Sequence, residues 1–295
     1  MKRLLLCIVA IFIQISAQDI QVKMVTDSYM DIPFPVIGPV KVSIIKTTYL
    51  AKNLRKTIDS LVGDGFLFHW FVGMLSTTTG EIVDITSRQA WEYNKDDQEY
   101  WTIPFIDEAS DDESEENEDQ NDDKRSINFS FDFNNQNDLD DGTDLENITR
   151  SGGDKIENIH GFRVRKWTTT LSKGDDRIVI DEWAIKELPL LRLADSLNRE
   201  IELARGTPDS ILNIFRFGKG FSNNETLLDV PGLDSLIEVS GIKPITGDVI
   251  KGDVSFFENG ESKAGFGSDV IEIYAENFDS LYFNIPEEYE RVEVE

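Results

Sequence analysis

Three features predict a mainly β (α+β) protein: apolar and polar residues alternating along most of the chain, one amphipathic stretch at helical spacing, and one long acidic segment. The architecture they predict is a curved antiparallel sheet or half-barrel packed on one or two amphipathic helices, with a disordered acidic insert. A sheet with one apolar face must cover that face, and a lone helix cannot bury its own stripe. A helix seated in a curved sheet satisfies both. With 295 residues the chain is long enough for a real core.

The first segment belongs to export rather than to the fold. Lys2 and Arg3 precede the apolar run Leu4 to Ile15, which is short for a bilayer span, and Ser16 and Ala17 supply small residues for cleavage. A signal peptide over 1–17 follows, with Gln18 as the first mature residue. No second apolar span follows, so no integral membrane segment is expected after cleavage. The remainder divides into 18–106, the N-terminal half of one β-rich domain, then an acidic disordered insert over 107–150. Residues 151–295 form the C-terminal half, including a helix over 189–205.

In the first half Val40, Val42 and Ile44 alternate with Lys41 and Ser43, and Leu54, Lys56 and Ile58 mark a second strand. The apolar run Phe66 to Leu75 reads as a strand buried on both faces. Thr77 to Gly80 reads as a turn, with Glu81 to Ile85 as the returning strand. Trp91 to Tyr93 and Tyr100 to Ile103 flank the polar turn Asn94 to Gln98, a hairpin signal. The segment Asp107 to Glu146 holds 17 acidic and two basic residues, and Asp111 to Asp123 has no apolar residue. Such a stretch buries too little surface to offset its ordering entropy. Within it, Ile127, Phe129, Phe131 and Phe133 alternate, as a short strand or an apolar patch.

In the second half Gly161 to Leu171 and Arg177 to Ile185 read as a strand pair joined by a turn at Lys173 to Asp176. A helix starts at Pro189, a favoured first-turn position, with Leu190, Ala194, Leu197, Ile201 and Ala204 on one face. Asp195 and Arg199 are spaced for an i,i+4 pair, and Gly206 ends the helix. Thr207, Pro208 and Asp209 open a second short helix that runs to about Gly218. Asn259-Gly260 is a hairpin turn between Val254–Phe257 and Ser262–Phe266. Val270 to Ala275 and Tyr282 to Ile285 are the last strands.

Charge and composition exclude several functions. The net charge of -27 repels phosphate backbones, so nucleic-acid binding is not expected, and anionic lipid headgroups are disfavoured likewise. Cys7 is the single cysteine and lies in the leader, so the mature chain has no disulfide, thiol nucleophile or thiolate metal site. Gln18 at the cleavage point, rather than cysteine, argues against a lipoprotein. His69 and His160 show no metal-binding spacing. No GxSxG elbow and no phosphate-binding loop is present, and Gly218-Lys219-Gly220 is a bare turn fragment. With 56 acids, carboxylate pairs are inevitable and none is singled out. Asp138 to Asp144 echoes an oxygen-rich calcium loop but lacks the EF-hand period. Weak calcium or a basic protein partner is therefore an expectation at the acidic insert only.

The order of several segments resembles an uncharacterised family of secreted bacterial proteins. They are Gly80 to Ile85, Glu99 to Pro104, Ile159-His-Gly-Phe-Arg-Val-Arg-Lys-Trp167, Asp181-Glu-Trp-Ala-Ile-Lys-Glu-Leu-Pro189 and Phe283-Asn-Ile-Pro-Glu-Glu-Tyr289. The fold of that family looks like that of periplasmic lipoprotein carriers, an incomplete antiparallel barrel closed by helices. Members carry a cysteine near the position of Val164, which this chain lacks, and the acidic insert is not part of the pattern. The resemblance implies fold and compartment, periplasmic or extracellular, and transfers no catalytic residue.

The function expected is noncatalytic binding of a lipid or other apolar ligand in a concave sheet face. Trp70, Trp91, Trp101, Trp167 and Trp183 are the candidate lining residues, with no cofactor and no metal. The alternatives are an envelope interaction module working through its acidic insert and, less favoured, a carboxylate-based hydrolase.

Overall fold

The computed structural model describes residues 20–34, 38–63, 78–105, 147–212, 216–222 and 240–293. The expected strand Phe66–Leu75, with His69 and Trp70, lies outside the described residues. So do the alternation at Ile127–Phe133 and the Asp138–Asp144 loop.

The chain folds as two antiparallel meanders sharing one sheet. The first comprises β1 (Ile20–Phe34), β2 (Gly38–Ala51), β3 (Leu54–Gly63), β4 (Thr78–Asp84), β5 (Gln89–Asn94) and β6 (Glu99–Ile103). The second comprises β7 (Asn147–Ile159), β8 (Phe162–Lys173), β9 (Asp176–Ile185), β10 (Asp248–Glu258) and β11 (Glu261–Asn277). Antiparallel pairing of β1 with β11 joins them, and β12 (Glu290–Arg291) adds parallel to β6. The result is one open sheet of twelve strands in the order β12-β6-β5-β4-β3-β2-β1-β11-β10-β9-β8-β7. It is mainly β and is not closed into a barrel, as the alternation predicted. Register irregularities at Val25/Thr26 and Val249/Lys251 mark bulges, which increase local twist and bend a sheet.

Between β9 and β10 stands α1 (Pro189–Ala204), with Pro189 in its first turn. Its buried residues are Leu191, Ala194 and Ile201, while Leu197 is half-buried and Ala204 exposed. The helix ends in a Schellman arrangement: Gly206, at φ 93°, donates to the Leu203 carbonyl and Thr207 donates to the Glu202 carbonyl. Among the described residues α2 covers Asp209–Leu212, and residues 216–218 are non-helical, so the second helix does not reach Gly218. Asp195 does not pair with Arg199. Its carboxylate instead accepts from Arg216 and from the Phe217 amide at 2.9 Å, while Arg199 pairs with Asp209.

Two further expectations are corrected. Thr78 to Gly80 are not a turn but the start of β4, registered against Ser60 to Ile58 of β3. Gly80 is there because the Tyr93 ring lies across it, and a side chain would strike that ring and the Thr57 carbonyl. Tyr282 to Ile285 do not form a strand. Residues Ser280–Phe283 form a 3-10 turn whose start is capped by Asp279, accepting from the Leu281 amide at 2.9 Å.

Candidate functional site

The registers of the first meander align one lateral row across six strands: Val22, Leu50, Arg55, Val83, Ala90 and Ile103. The five apolar members of this row pack with Ala194, Ile201, Leu193 and Leu197 of α1. Cross-strand neighbours share a face, so Arg55 also points at the helix from the middle of an apolar stripe. Nearer the start of the helix, Leu191 packs with Met24, Val164, Trp183, Ile250 and Val270. α1 therefore occupies the apolar sheet face that a ligand would use.

Arg55 is 6% exposed, and its terminal nitrogens are partnered while its buried Nε has no hydrogen-bond partner among the described residues. It donates to Asn198 Oδ1 at 2.7 Å, to Glu202 of the helix and to Glu81 of β4 at 2.5 Å. Arg205 donates to the other oxygen of Glu81 at 2.8 Å, and the Thr207 hydroxyl to Glu202 at 2.7 Å. Two cations and two carboxylates thus bridge the sheet to the last turn of α1. Burial alone would lift the Glu202 carboxyl, but Arg55 holds it below the ordinary range. Arg55 is itself raised, since burial is outweighed by Glu81 and Glu202. Glu81 accepts a guanidinium on each oxygen, and Glu202 accepts Arg55 on one oxygen and the Thr207 hydroxyl on the other.

The next row on the same face is polar: Thr48, Thr57, Glu81, Glu92 and Trp101. Burial raises Glu92, opposed by the Trp101 indole, which donates to it at 3.0 Å. Burial also raises Asp59, one row further, beside Lys46 at 3.4 Å. A cavity of about 230 Å³ opens between α1 and the chain after it, lined by Asp195, Asn198, Glu202, Thr207, Leu212 and Arg216 among others. It is smaller than the ~300–1,000 Å³ usual for ligand pockets, and its lining mixes charged side chains with the apolar Ile211 and Leu212.

A second cover lies on the other meander. Phe221 and Ile242 pack over Ile148, Leu171, Ile180 and Val254. Glu182, fully buried, holds the segment 216–222 by accepting from the Ser222 amide at 3.1 Å and from its hydroxyl. Burial raises this carboxyl, against those donors and Arg150. The Gly218-Lys219-Gly220 turn fragment is the bend of this strap.

The four described candidate tryptophans do not converge. Trp91 packs with Tyr93 and Phe283 under the C-terminal tail, and Trp101 serves Glu92. Trp167 packs with Ala184, Ile245 and Val249, and Trp183 donates to Glu157 at 3.1 Å. His160 stands in the β7–β8 turn at φ 49°, its Nε2 3.0 Å from Asp269. Among the described residues no group of three or more histidine, cysteine or acidic side chains is placed to hold a metal, and no helix is long and apolar enough to cross a membrane.

Neither a known protein family, nor a curated protein, nor a solved structure matches the chain.

Proposed function

We propose that the chain is a noncatalytic, exported binding protein that takes a lipid or other apolar chain against the sheet face beneath α1. The observation that carries this reading is the apolar stripe of the sheet that α1 covers. Among the described residues, an open twelve-stranded sheet presents a row that is apolar apart from Arg55, and a helix of 16 residues lies over it. A ligand would replace the contacts of Leu193, Ala194, Leu197 and Ile201, so its binding surface exists only as the helix moves. The charged quartet at Arg55 sets one end of that helix and would act as its pivot. The neutralised carboxylates of the quartet support a noncatalytic role. So does the resemblance to secreted proteins with carrier-like folds. Titration of the mature chain with a fluorescent fatty acid tests it: saturable binding that protects the probe from water is expected, and the absence of saturable binding overturns it.

A second reading has its own observation. Residues 107–146 carry 17 acidic and two basic residues, and so 15 of the 27 net negative charges. A partner of opposite charge, a basic protein or weakly bound calcium, would be drawn to this segment. Deleting 107–146 abolishes partner binding under this reading and spares fatty-acid binding under the first.

A further inference from the structure

Asn259-Gly260 is the single Asn-Gly pair in the chain, and it forms the two-residue loop between β10 and β11, where Glu258 is registered with Glu261. Both residues have positive φ, 50° and 80°, the backbone of a tight type I′ connection. Both are exposed, and a Cβ placed on Gly260 would meet nothing within 4 Å. The Gly260 nitrogen falls outside the strand ladder, which closes at the Glu258–Glu261 pair. A backbone nucleophile, unhindered and bathed in water, thus follows directly on a side-chain amide. Asparagine is among the thermolabile residues.

We infer that Asn259 is a site of spontaneous deamidation, and that Asp176 sets its rate. The Gly260 nitrogen gives up its proton to solvent and attacks Cγ of Asn259. The new C–N bond closes a succinimide ring, the bond to the side-chain nitrogen breaks, and ammonia leaves. Water then opens the ring at either carbonyl, which yields aspartate or isoaspartate. Water is the only co-reactant and no electrons are exchanged. The step requires the turn to open, because the left-handed backbone keeps the Gly260 nitrogen away from Cγ. Asp176, the first residue of the neighbouring strand β9, resists that opening: its Oδ1 accepts from the Asn259 backbone N–H at 2.7 Å. The product carboxylate joins Asp176, Glu258 and Glu261, beside the single ammonium of Lys263, 3.8 and 3.3 Å from the two glutamates. An isoaspartyl link also lengthens the backbone of a turn that fits two residues. Both effects loosen the hairpin tip where Arg177 stacks on Phe257 at 4.3 Å.

The test is peptide mass analysis of the purified mature protein, and of D176A, during incubation in warm, mildly alkaline buffer. The expected result is conversion at Asn259 to the aspartyl mass in two chromatographic forms, ahead of every other described asparagine and faster in D176A. An unchanged Asn259 in both proteins, over an interval in which a free peptide spanning Glu258 to Lys263 has converted, overturns the site. Equal rates in the two proteins overturn the role of Asp176.

Discussion

Arg55 interrupts an otherwise apolar row, so its partners are an electrostatic requirement. Removing it by R55M leaves Glu81 and Glu202 with only Arg205 as a cation, and breaking one partner out of a buried ion cluster costs about 3–5 kcal/mol. Urea unfolding should show this as a lower midpoint with an unchanged slope. The carboxyls give a prediction with a sign. Glu182 is raised above its ordinary 4.5, so its charge opposes folding at neutral pH, and that penalty fades as pH falls through the folded value toward 4.5. Glu202 is held below its ordinary 4.5, so its stabilisation is present above 4.5 and is lost as pH falls through the lower folded value. E182Q should therefore raise the unfolding midpoint at neutral pH, with the gain shrinking toward pH 4.5. E202Q should lower it at neutral pH, with the loss shrinking only below 4.5. Neither role was legible in the sequence. Alternation of Leu54, Lys56 and Ile58 places Arg55 on the opposite face, but nothing local says which face the helix covers. Glu182 sits in a segment whose inward neighbours come from residues forty positions later.

At the scale of elements, α1 is the part most readable from its spacing and the part most exposed to test. Ile201 is 1% exposed against the row of Val22, Leu50 and Val83, and I201A should cost about 2–5 kcal/mol by deleting buried methylenes and leaving a cavity. Gly206 occupies the left-handed position that closes the helix, and G206A should cost about 1–2 kcal/mol; both are read by thermal or urea unfolding. The β5–β6 and β10–β11 hairpins were legible because their turns, Asn94–Gln98 and Asn259-Gly260, carry polar and turn-forming residues between apolar strands. β7 was not. As the edge strand it needs no apolar alternation, and Gly152 and Gly153 break its pattern at a register irregularity, a common way of blunting an edge. Gly80 misled for a related reason. A glycine that admits a tyrosine ring across strands looks, in sequence, like one that makes a turn. The 3-10 turn Ser280–Phe283 has aromatic residues suited to a strand, and the Asp279 cap decides otherwise.

For the whole molecule, the acidic segment 107–146 holds 17 acidic residues and no apolar residue from Asp111 to Asp123. On that composition, its deletion should move the unfolding midpoint by less than about 0.5 kcal/mol in equivalent free energy, as for changes away from packed features. The mainly β class and the helix followed from periodicity. The strand order did not, because the β1–β11 pairing that joins the meanders links residues some 250 positions apart in sequence, such as Val22 and Ala275. The tryptophans were poor guides to a site for the same reason: their neighbours come from distant strands and the tail. What unites the scales is the claim that α1 is a displaceable cover over an apolar sheet face. Native mass spectrometry of the chain from Gln18 onward, purified without detergent from its own cells, tests that claim most directly. A co-purifying apolar mass that leaves on denaturation, and is lost in a variant with α1 cross-linked to the sheet, is the predicted result. A ligand-free mass for the unmodified chain, unchanged after incubation with fatty acid, would contradict it.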